Sequence, residues 1–435
     1  MEFRSRQLIV FFTASLALLG DLSGLHSEEP NYDDVFTSSD DWLMEGDCGE
    51  SASVRGETCS PGKGNGITFK ASMNQVYQGV VDGGAQHKWR YGGSGRYDLT
   101  ADLGRFGLPE GLSIRAVGEH RFGQTVTRDA GVLLPLSVDI STPTPLSEDL
   151  ILVDLLVSQV VNENITIMAG KLDTFDGDLN PFASGRGRTG FMNTSLLFPA
   201  NAVPIVPYST LGAGAVFSME GQPFASVLVL NANDTTRTSG LSELFNDGAV
   251  IYGSIALPLP LGGKTGFHSF NYAYNTKDFT ALGQDPRVIT GRVPVTPTTG
   301  GWVAWWSGTQ FIQQFDPKND PMKGWGLFGR YGVSDDEVTP VVHFANAGLG
   351  GNSTIHGRSN DRWGVGWFYS QFSDNLGPIA TTLLNVGDHT TGIELFYNFA
   401  ITEHIYITPD LQIVKPGRQG ADTATILGVR GEIRI

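Results

Sequence analysis

The chain closes on a strand with two different solvents written into it. Leu427, Val429, Gly431, Ile433 and Ile435 alternate with Gly428, Arg430, Glu432 and Arg434. One side is apolar and the other charged, a period of two that an extended strand sorts onto opposite faces. A strand left open at a terminus invites pairing with other chains. A barrel closed in lipid removes that edge, turning the apolar face to hydrocarbon and the charged face to a watery lumen. The pattern predicts an all-β chain folded as a transmembrane antiparallel β-barrel.

The rest of the sequence agrees with export to a membrane. Arg4 and Arg6 precede an apolar run from Leu8 to Leu19, so residues 1–27 are expected to be a signal peptide. Beyond it no apolar run is long enough for a membrane helix. Charged residues make up 17% of the chain and the formal net charge is -16, which speaks against a nucleic-acid partner. Residues 28–66 are acidic and lack strand pattern, and are read as a short periplasmic N-terminal segment. Cys48 and Cys59 are a candidate disulfide across a short loop, worth about 3 kcal/mol in the chain-entropy model. Two free thiols are the alternative, and a metal site is disfavoured because no histidine lies nearby.

From Ile67 to Ile435 short alternating segments and turns repeat. Short connections are expected near 402–404, 357–361, 316–322, 261–264, 221–223, 162–164 and 107–110. Longer ones are expected near 415–422, 373–388, 334–340, 276–299, 231–248, 174–212, 123–149 and 82–94. Short and long alternate, as they do when periplasmic turns and external loops alternate, and the count comes to about 16 strands, the even number a single-chain bacterial barrel needs. The longest connection, 174–212, is rich in Phe, Asn and Pro, and is expected to fold inward as a constriction loop.

Several of these stretches are similar to one family. They are Gly392–Phe399, Thr408–Gln412, Pro416–Arg418 and Gly420–Ala424, with Ala169–Asp173, Gly326–Arg330 and Gly357–Gly364 in support. Together they resemble the carbohydrate-selective porins of bacterial outer membranes, the OprB type, over about Ile67 to Ile435. The amino-terminal segment departs from the family pattern: Gly46-Asp47 is followed by Cys48-Gly49-Glu50 where the family usually has Trp-Gly-Gly-Xaa-Arg. The resemblance implies a 16-stranded porin that passes sugars by diffusion.

A pore selects uncharged sugars with hydrogen-bonding groups and aromatic faces, and rings of Arg and carboxylate set its field and width. Expected pore-lining residues are Arg115, Glu119 and Arg121 on one wall, and Glu394, Asp410, Gln412, Arg430 and Glu432 on another. Asp173, Asp176, Asp178, Arg186 and Arg188 are expected from the long loop. Strict alternation puts Val303, Trp305, Phe311 and Phe315 against lipid and turns Trp302, Trp306, Gln310 and Gln314 inward. There Trp306 would stack on a sugar, unless it belongs to an interfacial aromatic girdle. Trp325, Tyr331, Trp363, Trp367 and Tyr369 share a face and read as lipid-side or girdle residues.

Gly185–Gly190 spells G-x-G-x-x-G, but no strand leads into it and no helical pattern follows, so it is read as loop. No nucleophile–base motif and no metal spacing occurs, so neither enzymatic activity nor a cofactor is expected. Expected partners are small carbohydrates and outer-membrane lipid, with a homotrimer expected from general porin behaviour. The rivals are a general or anion-preferring porin and, remotely, a soluble β-sandwich that binds sugar.

Overall fold

The structure is a computed structural model describing residues 66–141, 149–177, 180–183, 186–219, 221–383 and 385–435. The expected signal peptide, nearly all of the N-terminal segment, Cys48, Cys59 and Asp178 lie outside the described residues, as does the side chain of Asp176.

Sixteen strands follow in chain order. They open with β1 (Ile67–Gly84), β2 (Trp89–Asp102), β3 (Leu112–Gly123) and β4 (Ile151–Asn162). Next come β5 (Ile165–Asp173), β6 (Ser209–Met219), β7 (Gln222–Asn231) and β8 (Ala249–Pro258). Then follow β9 (Gly266–Thr280), β10 (Pro297–Asp316), β11 (Asp320–Ser334) and β12 (Val341–Asn352). The series ends with β13 (Arg362–Phe372), β14 (His389–Ala400), β15 (Ile405–Lys415) and β16 (Asp422–Arg434). Each pairs antiparallel with its chain neighbours, and β16 closes the barrel on β1 with Arg430 opposite Val76. The last residue completes the seam: Ile435 N–H donates to Ala71 O at 2.8 Å, and Ala71 N–H donates to Ile435 O at 3.0 Å.

The two faces of β16 separate as its alternation requires. Val429 and Ile433 are 44% and 48% exposed, whereas Arg430 and Glu432 are 1% and 2% exposed. An apolar outer face around a polar interior is the sorting a bilayer imposes on a barrel. The outer face also carries aromatic groups at several heights, among them Trp325 with Trp363 at 5.9 Å and Trp367 with Tyr369 at 6.4 Å between ring centroids.

Connections alternate in length around most of the barrel, with two corrections. The stretch near 82–94 is not a long loop. β1 continues to Gly84 through register shifts at Val80/Asp82 and Asp82/Gly84 while still pairing with β16, and β2 begins at Trp89. The long connection after β5 is also shorter than expected at its far end, because β6 starts at Ser209.

The interior is not an open tube. Two connections send described residues into it, 124–141 after β3 and 180–183 with 186–208 after β5. Val126, Val132, Leu136 and Val138 of the first pack with Phe182, Phe191, Leu196 and Leu197 of the second. Both sit on inward side chains of the wall: Phe311 of β10, Phe328 of β11, Phe368 of β13, Phe396 of β14 and Ile426 of β16. The sequence reading assigned this filling to the second loop alone.

Glycine makes the seat. Inward positions 364 and 366 on β13 lie directly beneath the second loop. A Cβ on Gly364 would stand 2.6 Å from Phe191 Cζ, and one on Gly366 would stand 2.8 Å from Leu196 Cδ2. A side chain at either position would force Phe191, Phe396 or Leu196 to shift.

Candidate functional site

A dense buried polar cluster is assembled where the two inserted loops meet the wall of β2 and β3. Period-two alternation turns Ser94, Arg96 and Asp98 of β2 inward beside Arg115, Glu119 and Arg121 of β3, with Arg96 directly opposite Glu119. Arg96 Nη1 donates to Glu119 Oε1 at 2.6 Å and Arg121 Nη2 to Glu119 Oε2 at 2.9 Å. The second loop adds Arg186, whose guanidinium lies 3.9 Å from Glu119 and pairs with Asp173 at the end of β5. It also adds Tyr208, whose hydroxyl donates to Glu119 Oε2 at 2.9 Å and accepts from Arg186. Burial pushes the Tyr208 phenol well above its ordinary range, the Arg186 charge opposing, so it remains a donor. Every charged member of this cluster is buried, and its arginines hold each other's carboxylate partners in common, so no single pair can be removed without stranding a charge.

Beside this cluster Asp139 of the first loop ties the loops to each other and to the wall. It accepts from Asn74 Nδ2 of β1 at 2.8 Å and from Arg188 Nε of the second loop at 3.1 Å, and also from the hydroxyl of Ser94. Arg188 Nη1 reaches on to Ser72 Oγ at 2.6 Å. Burial works to raise the Asp139 carboxyl, but Arg188 and Arg121 outweigh it and hold the group below the usual carboxylate range.

The opposite wall grips the second loop by its backbone. Arg330 of β11 donates to Leu196 O at 3.0 Å and Ala183 O at 2.5 Å. Asn346 of β12 donates to Ser195 O at 2.9 Å, and Arg362 of β13 to Pro181 O at 2.6 Å. Arg430 of β16 donates to Gly187 O and Gly190 O. Glu394 accepts from Met192 N–H at 2.6 Å and Asn193 N–H at 2.9 Å. Gln412 accepts from Asn193 at 3.0 Å and donates to Leu136 O of the first loop at 3.0 Å.

The described residues therefore sort the expected pore-lining set into two groups. Glu119, Arg121, Asp173 and Arg186 converge at one point, with Arg188 held beside them by Asp139. Glu394, Asp410, Gln412, Arg430 and Glu432 face inward but lie beneath the loops, where Glu394, Gln412 and Arg430 anchor them. Arg115 stands apart, half-exposed, its Nη2 2.6 Å from Asp98 Oδ2. Arg96, Asp139, Tyr208 and Arg330 were missed. Arg96 was legible, since it shares the inward parity of Asp98; Asp139 and Tyr208 sit in connections whose course no periodicity sets.

The model of the carbohydrate-selective porin, OprB family, matches residues 86–434. The chain belongs to that family. This carbohydrate-selective porin is therefore a bacterial outer-membrane protein. No curated protein matches it by sequence. Among solved structures, the high-pH structure of Pseudomonas putida OprB is similar with a TM-score of 0.71 at 17% identity, covering 85% of this chain and 94% of that one. The low-pH structure of the same protein gives a TM-score of 0.52 at 14% identity, covering 85% and 93%. At these identities the likeness is one of fold.

One strand of the porin carries its faces in the opposite phase to that expected. Val303 and Phe311 of β10 are buried against Ile205 and Phe182 of the second loop, so 303, 305 and 311 point into the lumen. Trp306 lies opposite Phe270 on the outer face, stacks on His268 at 5.6 Å and donates its Nε1–H to His268 Nδ1 at 3.0 Å. Two causes act together. The inner wall here is apolar because a loop covers it, which imitates a lipid-facing row. A bulge between Phe311 and Gln313 also breaks the alternation, so parity carried up from Phe315 arrives out of phase.

Proposed function

We propose that this porin passes small neutral sugars of glucose type by passive diffusion, and that Glu119 with Arg96, Arg121 and Arg186 forms the point of selection. The observation that carries the reading is the convergence of both inserted loops and the β2–β3 wall on that one carboxylate. A sugar carries no charge but many hydroxyls. Fixed donors and acceptors of both kinds replace its hydration shell, while paired charges leave little net field to draw in a bare ion. No covalent step or energy coupling is required.

Liposome swelling with neutral sugars of increasing size tests it. Fast entry of monosaccharides and slow entry of disaccharides is expected; equal entry of all solutes, or strong preference for anions, supports the general-porin reading instead. Every member of the cluster comes from one chain, so the proposed transport unit is a single protomer and a homotrimer would hold three parallel pores. Cross-linking of intact outer membranes that stops at the monomer rejects the trimer. Residues 1–27 are proposed to be removed on export, leaving 28–66 as a periplasmic segment ahead of the barrel, which amino-terminal sequencing of the mature protein checks.

A further inference from the structure

The lumen has a charged arc and a neutral one. Charged side chains line β2, β3, β11 and β13–β16, whereas β6, β7 and β8 contain no charged residue at all. At the β8 edge of this neutral arc the inner wall presents two large rings. Tyr252 of β8 shares the inward face with its neighbours Leu228 and Ala273, and Trp305 of β10 lies opposite Asn271 and Gly332. Their ring centroids are 6.0 Å apart and inclined at 33°.

Other large apolar side chains on the inner wall, such as Phe311, Phe328 and Phe368, are fully covered by the loops. Trp305 and Tyr252 are only edged by the cluster around Ile205 and keep part of their surface open. The indole N–H has no hydrogen-bond partner among the described residues, and beyond the apolar cluster polar groups lie next to the rings. The Tyr252 hydroxyl donates to Asn271 Oδ1 at 2.9 Å, and Ser226 and Ser254 face each other at 2.7 Å. An uncovered indole on the wet wall of a barrel costs hydration unless a solute uses it.

We propose that Trp305, flanked by Tyr252, is a stacking platform for the C–H face of a pyranose, with Ser226, Ser254 and Asn271 meeting its hydroxyl edge. Passage then follows the neutral arc, with the Glu119 cluster on the other side of the path. Aromatic faces favour such C–H surfaces, and a few placed polar groups fix orientation. This inference rests on the sugar reading above and adds to it a residue and a mode of contact.

The test uses the full-length protein in planar bilayers, with glucose as the blocking solute and heat-modifiable mobility as the check on folding. Trp305→Ala is expected to weaken glucose block roughly two- to ten-fold, with potassium chloride conductance unchanged or raised. Trp305→Phe keeps a ring and is expected to retain most of the affinity, while losing the glucose-dependent tryptophan fluorescence change expected of wild type. If glucose blocks wild type and Trp305→Ala equally, the platform is wrong and the sugar porin stands. If Trp305→Ala does not fold, the fluorescence comparison decides: an identical glucose response in wild type and Trp305→Phe overturns the proposal. If no neutral sugar blocks wild type, the sugar reading falls and the platform with it.

Discussion

Glu119 is the residue on which the account of selection turns. It is fully buried among three guanidinium groups, two of them from the wall and one from a loop. Removing one partner of such a group costs about 3–5 kcal/mol, because the charges left behind are uncompensated. Glu119→Gln is therefore expected to make the lumen anion-selective, read as a reversal-potential shift in a salt gradient, and to lower the unfolding temperature. Asp139 gives a pH dependence. Its carboxyl is held below the ordinary value, so its contribution to the clasp is fully present above about pH 4 and is lost only as pH falls through the depressed native value. Asp139→Asn should give a noisier channel at neutral pH, and the difference from wild type should shrink on acidification below about pH 4. A difference that persists unchanged into acid would place the clasp elsewhere. Part of this was legible: parity puts Arg115, Glu119 and Arg121 on one face of β3, because that strand alternates without interruption up to Arg121. Partner choice was not legible, since it depends on where the loops travel after leaving the rim.

At the scale of elements, the second loop is held by two kinds of force of similar size. Phe182, Phe191, Leu196 and Leu197 each contribute roughly 1.5–3 kcal/mol by burial. Each hydrogen bond from an arginine or to a carboxylate adds about 1.5–3 kcal/mol. With Arg330, Arg362, Arg430 and Glu394 all gripping the backbone, losing one leaves the loop in place. Arg430→Ala alone should hardly change conductance. Gly366→Leu should change it, because a side chain there collides with Leu196 along the loop's resting surface. The expected result is larger, less uniform steps. Deleting residues 178–193 should enlarge the steps further; unchanged conductance in a folded deletion variant would show that this loop does not set the width. The sequence revealed this loop by its length and composition; it also placed a long connection at 123–149, but not that this one enters the lumen. Val126, Leu136 and Val138 follow no strand or helix period, and only packing against Phe191 and its neighbours explains them.

For the molecule as a whole, the barrel was legible because each wall strand separates two solvents, and that requirement repeats along the chain. The exceptions are where a third environment enters. β10 was read with its faces exchanged because a loop makes part of the lumen as dry as lipid, and the β1–β2 connection was read as a loop where irregular pairing continues the strand. The same physics accounts for the asymmetry of the interior. Charge gathers where loops are anchored, leaving the β6–β8 wall neutral. The measurement that tests this account most directly is single-channel conductance of the folded protein in a planar bilayer, titrated with glucose. Discrete steps that glucose blocks saturably, with the block weakened in Glu119→Gln, are the predicted result. Steps that no neutral sugar blocks, or block that is indifferent to Glu119, would contradict it.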